Sequence, residues 1–101
     1  MRIVISEFMD EAAVASLAAQ HETFYDKGLV DRPDELKASV AMADALIVRN
    51  RTQVNAGLLA GAPALKVVGR LGVGLDNIDV DACRTRGIEV IPATGANALA
   101  V

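Results

Sequence analysis

The sequence predicts a protein of the α/β class, in which a parallel five-stranded sheet carries helices on both faces. Three observations support this prediction: short runs rich in β-branched residues alternate with helical patterns, the connecting segments are short, and one run is apolar without interruption. Alternation of strand and helix favours parallel strands joined by right-handed crossovers. An unbroken apolar strand is typical of a sheet that is covered on both sides.

Five strands are expected, and the third of them carries the unbroken apolar run. Their predicted ranges, in chain order, are residues 2–6, 22–25, 45–48, 65–68 and 88–91. For five such strands the usual arrangement is the flavodoxin-like order 2-1-3-4-5. The carboxyl ends of the strands then lie at one edge of the sheet, which is where open α/β sheets bind ligands.

Helices are expected between the strands, and cap residues mark where they begin. Asp10, Thr52 and Asp79 are the predicted N-caps of three of them, and Pro33 suits the first turn of a fourth. The first helix is expected to extend to His21. These elements form one expected domain over residues 1–96.

Residues 97–101 begin a further helical pattern that continues to Val101, the last residue of the sequence. A finished domain rarely stops one turn into an alanine-rich helix. We therefore expect the chain to be a fragment of a longer protein.

Composition excludes several classes of protein. Of the 101 residues 52% are apolar, and 10 Lys+Arg against 13 Asp+Glu give a net charge of −3. This hydrophobicity excludes a disordered chain, and the slight acidity argues against a nucleic-acid surface. No apolar run approaches the ~20 residues of a membrane helix. Because the N-terminus lacks a signal-peptide pattern and Cys83 is the lone cysteine, we expect a cytoplasmic protein without a disulfide.

Arginine-rich and glycine-rich segments follow the third and fourth strands. Arg49 and Arg51 come directly after the third strand, and Arg70 follows the fourth, just before a glycine-rich turn. Guanidinium groups beside such backbone favour an anion site at this edge, in which the amides of Val73 and Gly74 bind a small carboxylate. The alternative is a set of polar surface loops without a ligand.

The turn over residues 72–74 only partly matches a dinucleotide-binding fingerprint. Asn77 stands where the third glycine is required, no acid follows about 20 residues later, and the turn follows the fourth strand instead of the first. We therefore predict no nucleotide site here, and we expect Asp76 and Asn77 to hydrogen-bond local backbone. Asp76, Asp79 and Asp81 lack the glycine and terminal glutamate of a calcium loop, so no metal site is predicted.

Four further side chains are assigned packing or helix-end roles. His21 is expected at a helix C-terminus, where a cation suits the dipole, and Cys83 is expected in the core. Phe8 and Met9 follow the first strand. Packing is the expected role of both, and lining a substrate cleft is the alternative.

Several stretches resemble the D-isomer-specific 2-hydroxyacid dehydrogenases, most closely their D-3-phosphoglycerate dehydrogenase branch. They are residues 46–52, 66–79 and 86–90, together with Asn97, and the sequence G-V-G-L-D-N-I-D after V-V-G-R is the most specific part. The resemblance implies a two-domain, Rossmann-type oxidoreductase that uses NAD. Residues 1–96 would form its substrate-binding domain. Asn97 would begin the helix to the NAD-binding domain and is a candidate cofactor contact.

The resemblance also implies roles for particular residues. The amides matching Val73 and Gly74 hold the substrate carboxylate, the arginine matching Arg49 lies at the active site, and the one matching Arg70 flanks it. The catalytic Arg, Glu and His of the family would lie beyond Val101, so we expect residues 1–101 alone to be inactive and not to bind NAD. The parent would be a homodimer, and one of its C-terminal segments would cover an apolar face of this domain.

Arg49, Arg51 and Arg70 together exceed what a single carboxylate requires. We therefore expect a substrate with a second anionic group, such as 3-phosphoglycerate or 3-sulfolactate. The alternative is a non-catalytic flavodoxin-like module that binds a small anion or has a regulatory role. A response-regulator receiver is excluded because Arg49 stands where a phosphoacceptor aspartate would end the third strand.

Overall fold

The computed structural model describes residues 1–72 and 75–93 of the chain. Within these residues five strands form one sheet in the order β2-β1-β3-β4-β5, and each neighbouring pair is parallel. In chain order the strands are β1 (Arg2–Ile5), β2 (Glu22–Tyr25), β3 (Ala45–Val48), β4 (Val67–Leu71) and β5 (Glu89–Ala93). The predicted fold class and strand order are confirmed.

In the same part of the chain four α-helices connect the strands. They are α1 (Glu11–Ala18), α2 (Pro33–Val40), α3 (Ala56–Ala60) and α4 (Val80–Thr85), and a 3-10 turn (Leu29–Asp31) precedes α2. Asp10 and Asp79 cap α1 and α4 as predicted, because their carboxylates accept N–H bonds from the first turns. Helix α1 is shorter than predicted, since the amides of Gln20 and His21 already bond back to Leu17 in a closing turn. None of the helices described is long and apolar enough to cross a membrane.

The predicted cap of α3 is wrong. Asn55 caps this helix, because its side-chain oxygen accepts the N–H of Leu58 at 2.9 Å. Thr52 is buried instead, with its hydroxyl 2.8 Å from that of Ser6. Both residue types are good caps, so the sequence alone does not show which of them begins the helix.

The last two strands begin later than predicted. Before β4 the chain is still in a turn, in which the N–H of Leu65 donates to the carbonyl of Ala62 at 3.2 Å. Strand β5 continues through Pro92, which lies opposite Arg70 in the register. A proline is tolerated there because β5 is an edge strand of the sheet.

Apolar side chains cover both faces of the sheet, but the faces differ. One face packs against α2, α3 and α4 through a cluster that includes Leu46, Val48 and Val68. The other face packs against α1 through a smaller cluster that includes Ile5 and Ile47. Every residue of β3 is buried, as its unbroken apolar run predicts. Beside α1 an open groove of about 470 Å³ remains over β3, β4 and β5.

Candidate anion-binding site

The loops after β1, β3 and β4 meet at the carboxyl edge of the sheet. The loop after β3, residues 49–52 and here the arginine loop, contains two of the predicted arginines. Hydrogen bonds connect it to Glu7, which follows β1, and to Asn77, which follows β4. Segments that are far apart in the sequence therefore form one site.

Glu7 is a buried residue, only 4% exposed, and its carboxylate binds the backbone of the arginine loop. One carboxylate oxygen accepts the N–H groups of Arg49 at 2.8 Å and of Thr52 at 3.0 Å. The other accepts the N–H of Arg51 at 3.0 Å. Hydrogen bonds from several amides compensate a buried charge, and they also fix the conformation of the loop that supplies them.

The same contacts determine the charge state of Glu7. Burial by itself raises the pKa of this carboxyl, but the backbone N–H groups of Thr52 and Arg49, the Thr52 hydroxyl and the N–H of Arg51 outweigh it. The pKa of Glu7 is therefore held below its ordinary value. The group is a carboxylate at neutral pH, which is the form that accepts all of these bonds.

Asn77 also binds the arginine loop, by hydrogen bonds to backbone carbonyl groups of the loop. Its side-chain NH₂ donates to the carbonyl oxygens of Arg49 and Thr52, each at 2.9 Å. Its side-chain oxygen accepts from the Arg70 guanidinium at 3.3 Å. The expectation that Asn77 bonds local backbone is wrong, because its partners lie 25 and 28 residues away along the chain. Among the residues described, no buried side-chain polar atom is left without a partner.

The outer side of the arginine loop borders an open depression of about 230 Å³. Its lining residues are Glu7, Phe8, Lys27, Arg49, Asn50 and Arg51. Three of these are cations, whereas the one anion among them, Glu7, is turned to the loop amides. The depression is therefore a positively charged site on a domain that is acidic overall.

The two arginines of the loop are held in different ways. The Arg49 guanidinium lies 5.9 Å from the centroid of the Phe8 ring and donates to the Phe8 carbonyl at 3.4 Å. Arg51 forms an exposed ion pair with Asp31, and this hydrogen bond raises the pKa of Arg51. Exposed pairs of this kind contribute little to stability.

The sequence did not identify two residues that line this site, Glu7 and Lys27. No role was predicted for either residue. The available signal was their position: Glu7 lies two residues after β1 and Lys27 two residues after β2, at the same edge as the arginines. A position-by-position reading of that edge would have found both.

Arg70 lies beneath the site, because it is only 9% exposed and does not line the depression. Its guanidinium donates to the Leu71 carbonyl and to Asn77. Its assignment as a substrate-binding residue remains a prediction.

Several predicted positions lie outside the described residues. They are Val73 and Gly74, the proposed carboxylate ligands, Asn97, the cofactor candidate, and Val101, beyond which the catalytic Arg, Glu and His are expected. The roles given to these positions therefore stay predictions.

The remaining assignments concern packing. Cys83 is buried in the larger core cluster, where burial and the charge of Asp79 raise the pKa of its thiol. Met9 is buried in the smaller cluster, as its packing role predicts. Phe8, in contrast, is 55% exposed and lines the depression, and its alternative role of lining a substrate cleft stays a prediction. Over residues 1–72 and 75–93 no group of acidic, His or Cys side chains is arranged to hold a metal ion.

A larger groove, of about 550 Å³, lies away from this edge, between β2 and α2. Its lining includes the exposed apolar side chains of Phe24 and Met42. The one arginine that lines it, Arg2, is paired with Glu22 at 2.6 Å. We take the smaller depression as the candidate site because three cationic side chains line it, those of Lys27, Arg49 and Arg51.

The fold and this edge define an α/β domain with a positively charged depression at the carboxyl ends of its strands. The sequence profile of the D-isomer specific 2-hydroxyacid dehydrogenase catalytic domain matches residues 3–101. The chain therefore belongs to the D-isomer specific 2-hydroxyacid dehydrogenase family, and the resemblance stated from the sequence is confirmed.

Curated relatives agree with this assignment. The chain is 59% identical over 99 residues to a (S)-sulfolactate dehydrogenase of Chromohalobacter salexigens, a match that covers 98% of this chain and 32% of the relative. It is 46% identical over 97 residues to a D-3-phosphoglycerate dehydrogenase of Mycobacterium leprae, covering 94% of this chain and 18% of that protein. The chain thus spans a third or less of the length of these relatives.

Solved structures agree with the fold. The TT0316 protein of Thermus thermophilus superposes with a TM-score of 0.81 at 31% identity, over 89% of this chain and 29% of that chain. A 3-phosphoglycerate dehydrogenase of Entamoeba histolytica, solved with bound NAD+, superposes with a TM-score of 0.78 at 26% identity, over 91% of this chain and 32% of that chain.

Proposed function

We propose that residues 1–96 form the substrate-binding domain of an NAD-dependent dehydrogenase that interconverts 2-hydroxy acids and 2-oxo acids. Its substrate carries a second anionic group, as 3-phosphoglycerate and 3-sulfolactate do. The observation that carries the proposal is the depression around which Lys27, Arg49 and Arg51 lie together. Relatives named for sulfolactate and for phosphoglycerate support the same class of substrate.

Different segments bind the two ends of this substrate. We assign the carboxylate next to the hydroxyl group to the backbone amides of Val73 and Gly74, and the second anion to the cations of the depression. One guanidinium fork satisfies a single carboxylate, so the cations of the depression exceed what a monoanion needs. Arg70 is assigned to the flank of the substrate.

The described residues do not fit the dinucleotide cofactor. The position of the third glycine in a dinucleotide fingerprint holds Asn77, and its side-chain NH₂ is committed to two carbonyl groups of the arginine loop. NAD therefore binds, in this proposal, to a part of the protein beyond residues 1–93, with Asn97 as a candidate contact. The residues of this domain bind and orient the acid, and no step of hydride transfer is assigned to them.

Matched pairs of substrates test the proposal in the complete protein that contains this chain. Lactate and 3-sulfolactate differ only in the sulfonate, and glycerate and 3-phosphoglycerate differ only in the phosphate. With NAD as cofactor we expect kcat/KM to be about tenfold higher, or more, for the acid with the second anion, because a hydrogen bond to a charged group contributes about 1.5–3 kcal/mol. Residues 1–101 alone are the negative control, for which no turnover is expected.

Two other outcomes have definite meanings. An equal or higher kcat/KM for lactate and glycerate would contradict the role of the cationic depression. Binding of the acids that carry two anionic groups, without any turnover, would favour the non-catalytic anion-binding module over the dehydrogenase.

A further inference from the structure

We infer that Glu7 is a positioning residue of the anion site: its buried carboxylate sets the backbone of the arginine loop, and through it the directions of the Arg49 and Arg51 side chains. The inference rests on the proposed function, because it concerns the same site. It adds a residue that is not itself a ligand of the substrate but on which the ligands depend.

The hydrogen bonds of the Glu7 carboxylate go to the main chain of the loop. The amides of Arg49, Arg51 and Thr52 reach its two oxygens over 2.8, 3.0 and 3.0 Å. A carboxylate that served to neutralise the arginines would pair with their guanidinium groups. Here one guanidinium lies over Phe8 and the other pairs with Asp31, so Glu7 acts on the arginines through their backbone.

Asn77 completes this arrangement from the other side. It donates to the carbonyl oxygens of Arg49 and Thr52, the first and last residues of the loop. Glu7 accepts and Asn77 donates, so N–H and C=O groups at both ends of the loop are held by buried side chains. A loop fixed in this way presents its outward side chains in a defined geometry, which reduces the entropy lost when a ligand binds.

Electrostatics and positioning predict opposite effects of removing the Glu7 charge. A carboxylate beside the depression repels an anionic ligand, so if its charge alone mattered, Glu7→Gln would tighten binding. If the carboxylate positions the loop, the glutamine, with one acceptor oxygen in place of two, releases at least one loop amide and binding weakens. The direction of the change therefore separates the two roles.

Steady-state kinetics of the complete protein with 3-sulfolactate and 3-phosphoglycerate provide the first test. For Glu7→Gln we expect KM to rise about tenfold, because the geometry of a charge-assisted contact is lost, while kcat changes little. A variant that merely folds poorly would show a lower kcat and an unchanged KM. Glu22→Gln is the matched control, because Glu22 is an exposed carboxylate at the opposite edge of the sheet, and it should behave as the wild type.

A conservative variant keeps the test valid if Glu7→Gln does not fold. Glu7→Asp retains the charge and both acceptor oxygens on a side chain that is one methylene shorter. We expect its KM to lie between those of the wild type and Glu7→Gln. An unchanged or lower KM in both variants overturns the inference.

Inorganic phosphate binding and hydrogen exchange test the inference without turnover. In Glu7→Gln the amides of residues 49–52 should exchange faster and phosphate should bind about tenfold more weakly, whereas Glu22→Gln should show neither change. If the wild type binds phosphate but turns over neither acid, the proposed function fails and weaker phosphate binding by Glu7→Gln still supports the inference. Unchanged phosphate affinity overturns it, and a wild type that neither binds phosphate nor turns over either acid overturns both proposals.

Discussion

At the scale of single residues, the lack of a side chain at Gly72 makes room for the buried guanidinium of Arg70. Gly72 has a φ of +112°, a backbone conformation that favours glycine. A Cβ atom at this position would lie 2.5 Å from one terminal nitrogen of Arg70. Because Arg70 donates to Asn77, and Asn77 binds the arginine loop, the missing side chain of residue 72 affects a loop that lies about 20 residues away along the chain.

Gly72→Ala is therefore expected to lower the free energy of unfolding by about 1–3 kcal/mol, through backbone strain and displacement of Arg70. Gly87→Ala is a matched control, because Gly87 also has a positive φ, +73°, but a Cβ there would meet no atom within 4 Å. That variant should lose only about 1 kcal/mol, the conformational cost alone. Urea unfolding measures both losses, and equal values would contradict the steric role assigned to Arg70.

The arginines of the site could be predicted from the sequence, whereas the residues that support them could not. Arg49 and Arg51 follow an obvious strand, and their charge suggests a ligand directly. Glu7 and Lys27 lie just after strands, where polar residues are common. Hydrogen bonding of a side chain to distant backbone, as for Glu7, has no periodicity that a sequence would reveal. The reach of Asn77 to the arginine loop depends on the packing of β3 beside β4, so local turn chemistry misassigned it.

At the scale of elements, two polar residues that lie close together before α3 have different tasks. Asn55 caps the helix, whereas Thr52 connects the loop after β3 to the end of β1 through the Ser6 hydroxyl. The helix is only five residues long, so its first turn is a large part of it. The cap therefore contributes to the stability of the whole element.

Asn55→Ala is expected to lower the free energy of unfolding by about 1 kcal/mol, the usual cost of losing an N-cap. Asn55→Asp retains the acceptor oxygen and should stay near the wild-type value. Thermal or urea unfolding distinguishes them. Equal stability of the wild type and Asn55→Ala would show that α3 does not depend on this cap.

The order and type of the elements follow from their alternation, but their boundaries do not. Parallel pairing of the five strands was predictable because short loops and right-handed crossovers leave few arrangements. The start of β4 could not be predicted, because the turn before this strand depends on a backbone hydrogen bond to the Ala62 carbonyl. Continuation of β5 through Pro92 depends on its place at the edge of the sheet, which becomes evident only when the strands are assembled.

For the whole molecule, the ionised Glu7 makes stability depend on pH. Its pKa in the folded chain lies below the ordinary value of 4.5. A carboxyl with a lowered pKa stabilises the folded state fully above its unfolded pKa, and this contribution is lost as the pH falls through the folded pKa. The stabilisation is thus complete at neutral pH and disappears in acid.

We expect Glu7→Gln to be less stable than the wild type by about 2 kcal/mol at neutral pH, since hydrogen bonds to a charged group are lost. The difference should shrink as the pH falls below about 4.5, the ordinary value for this group. Asp26 and Asp44, whose pKa values are lowered by the N–H groups of Gly28 and Arg2, titrate in both proteins and cancel in the difference. Urea unfolding across this pH range measures the stability difference between the wild type and Glu7→Gln. A difference that stays constant down to about pH 3 would argue against an ionised Glu7 as its cause.

The way in which the arginine loop is held also bears on how such a domain diverges. Glu7 and Asn77 grip peptide groups, which every amino acid except proline supplies in full, so neither depends on which side chains the loop displays. Exchanging the outward side chains leaves these hydrogen bonds to the backbone intact. The charge pattern of the depression can therefore change by point replacement without first rebuilding the backbone that supports it.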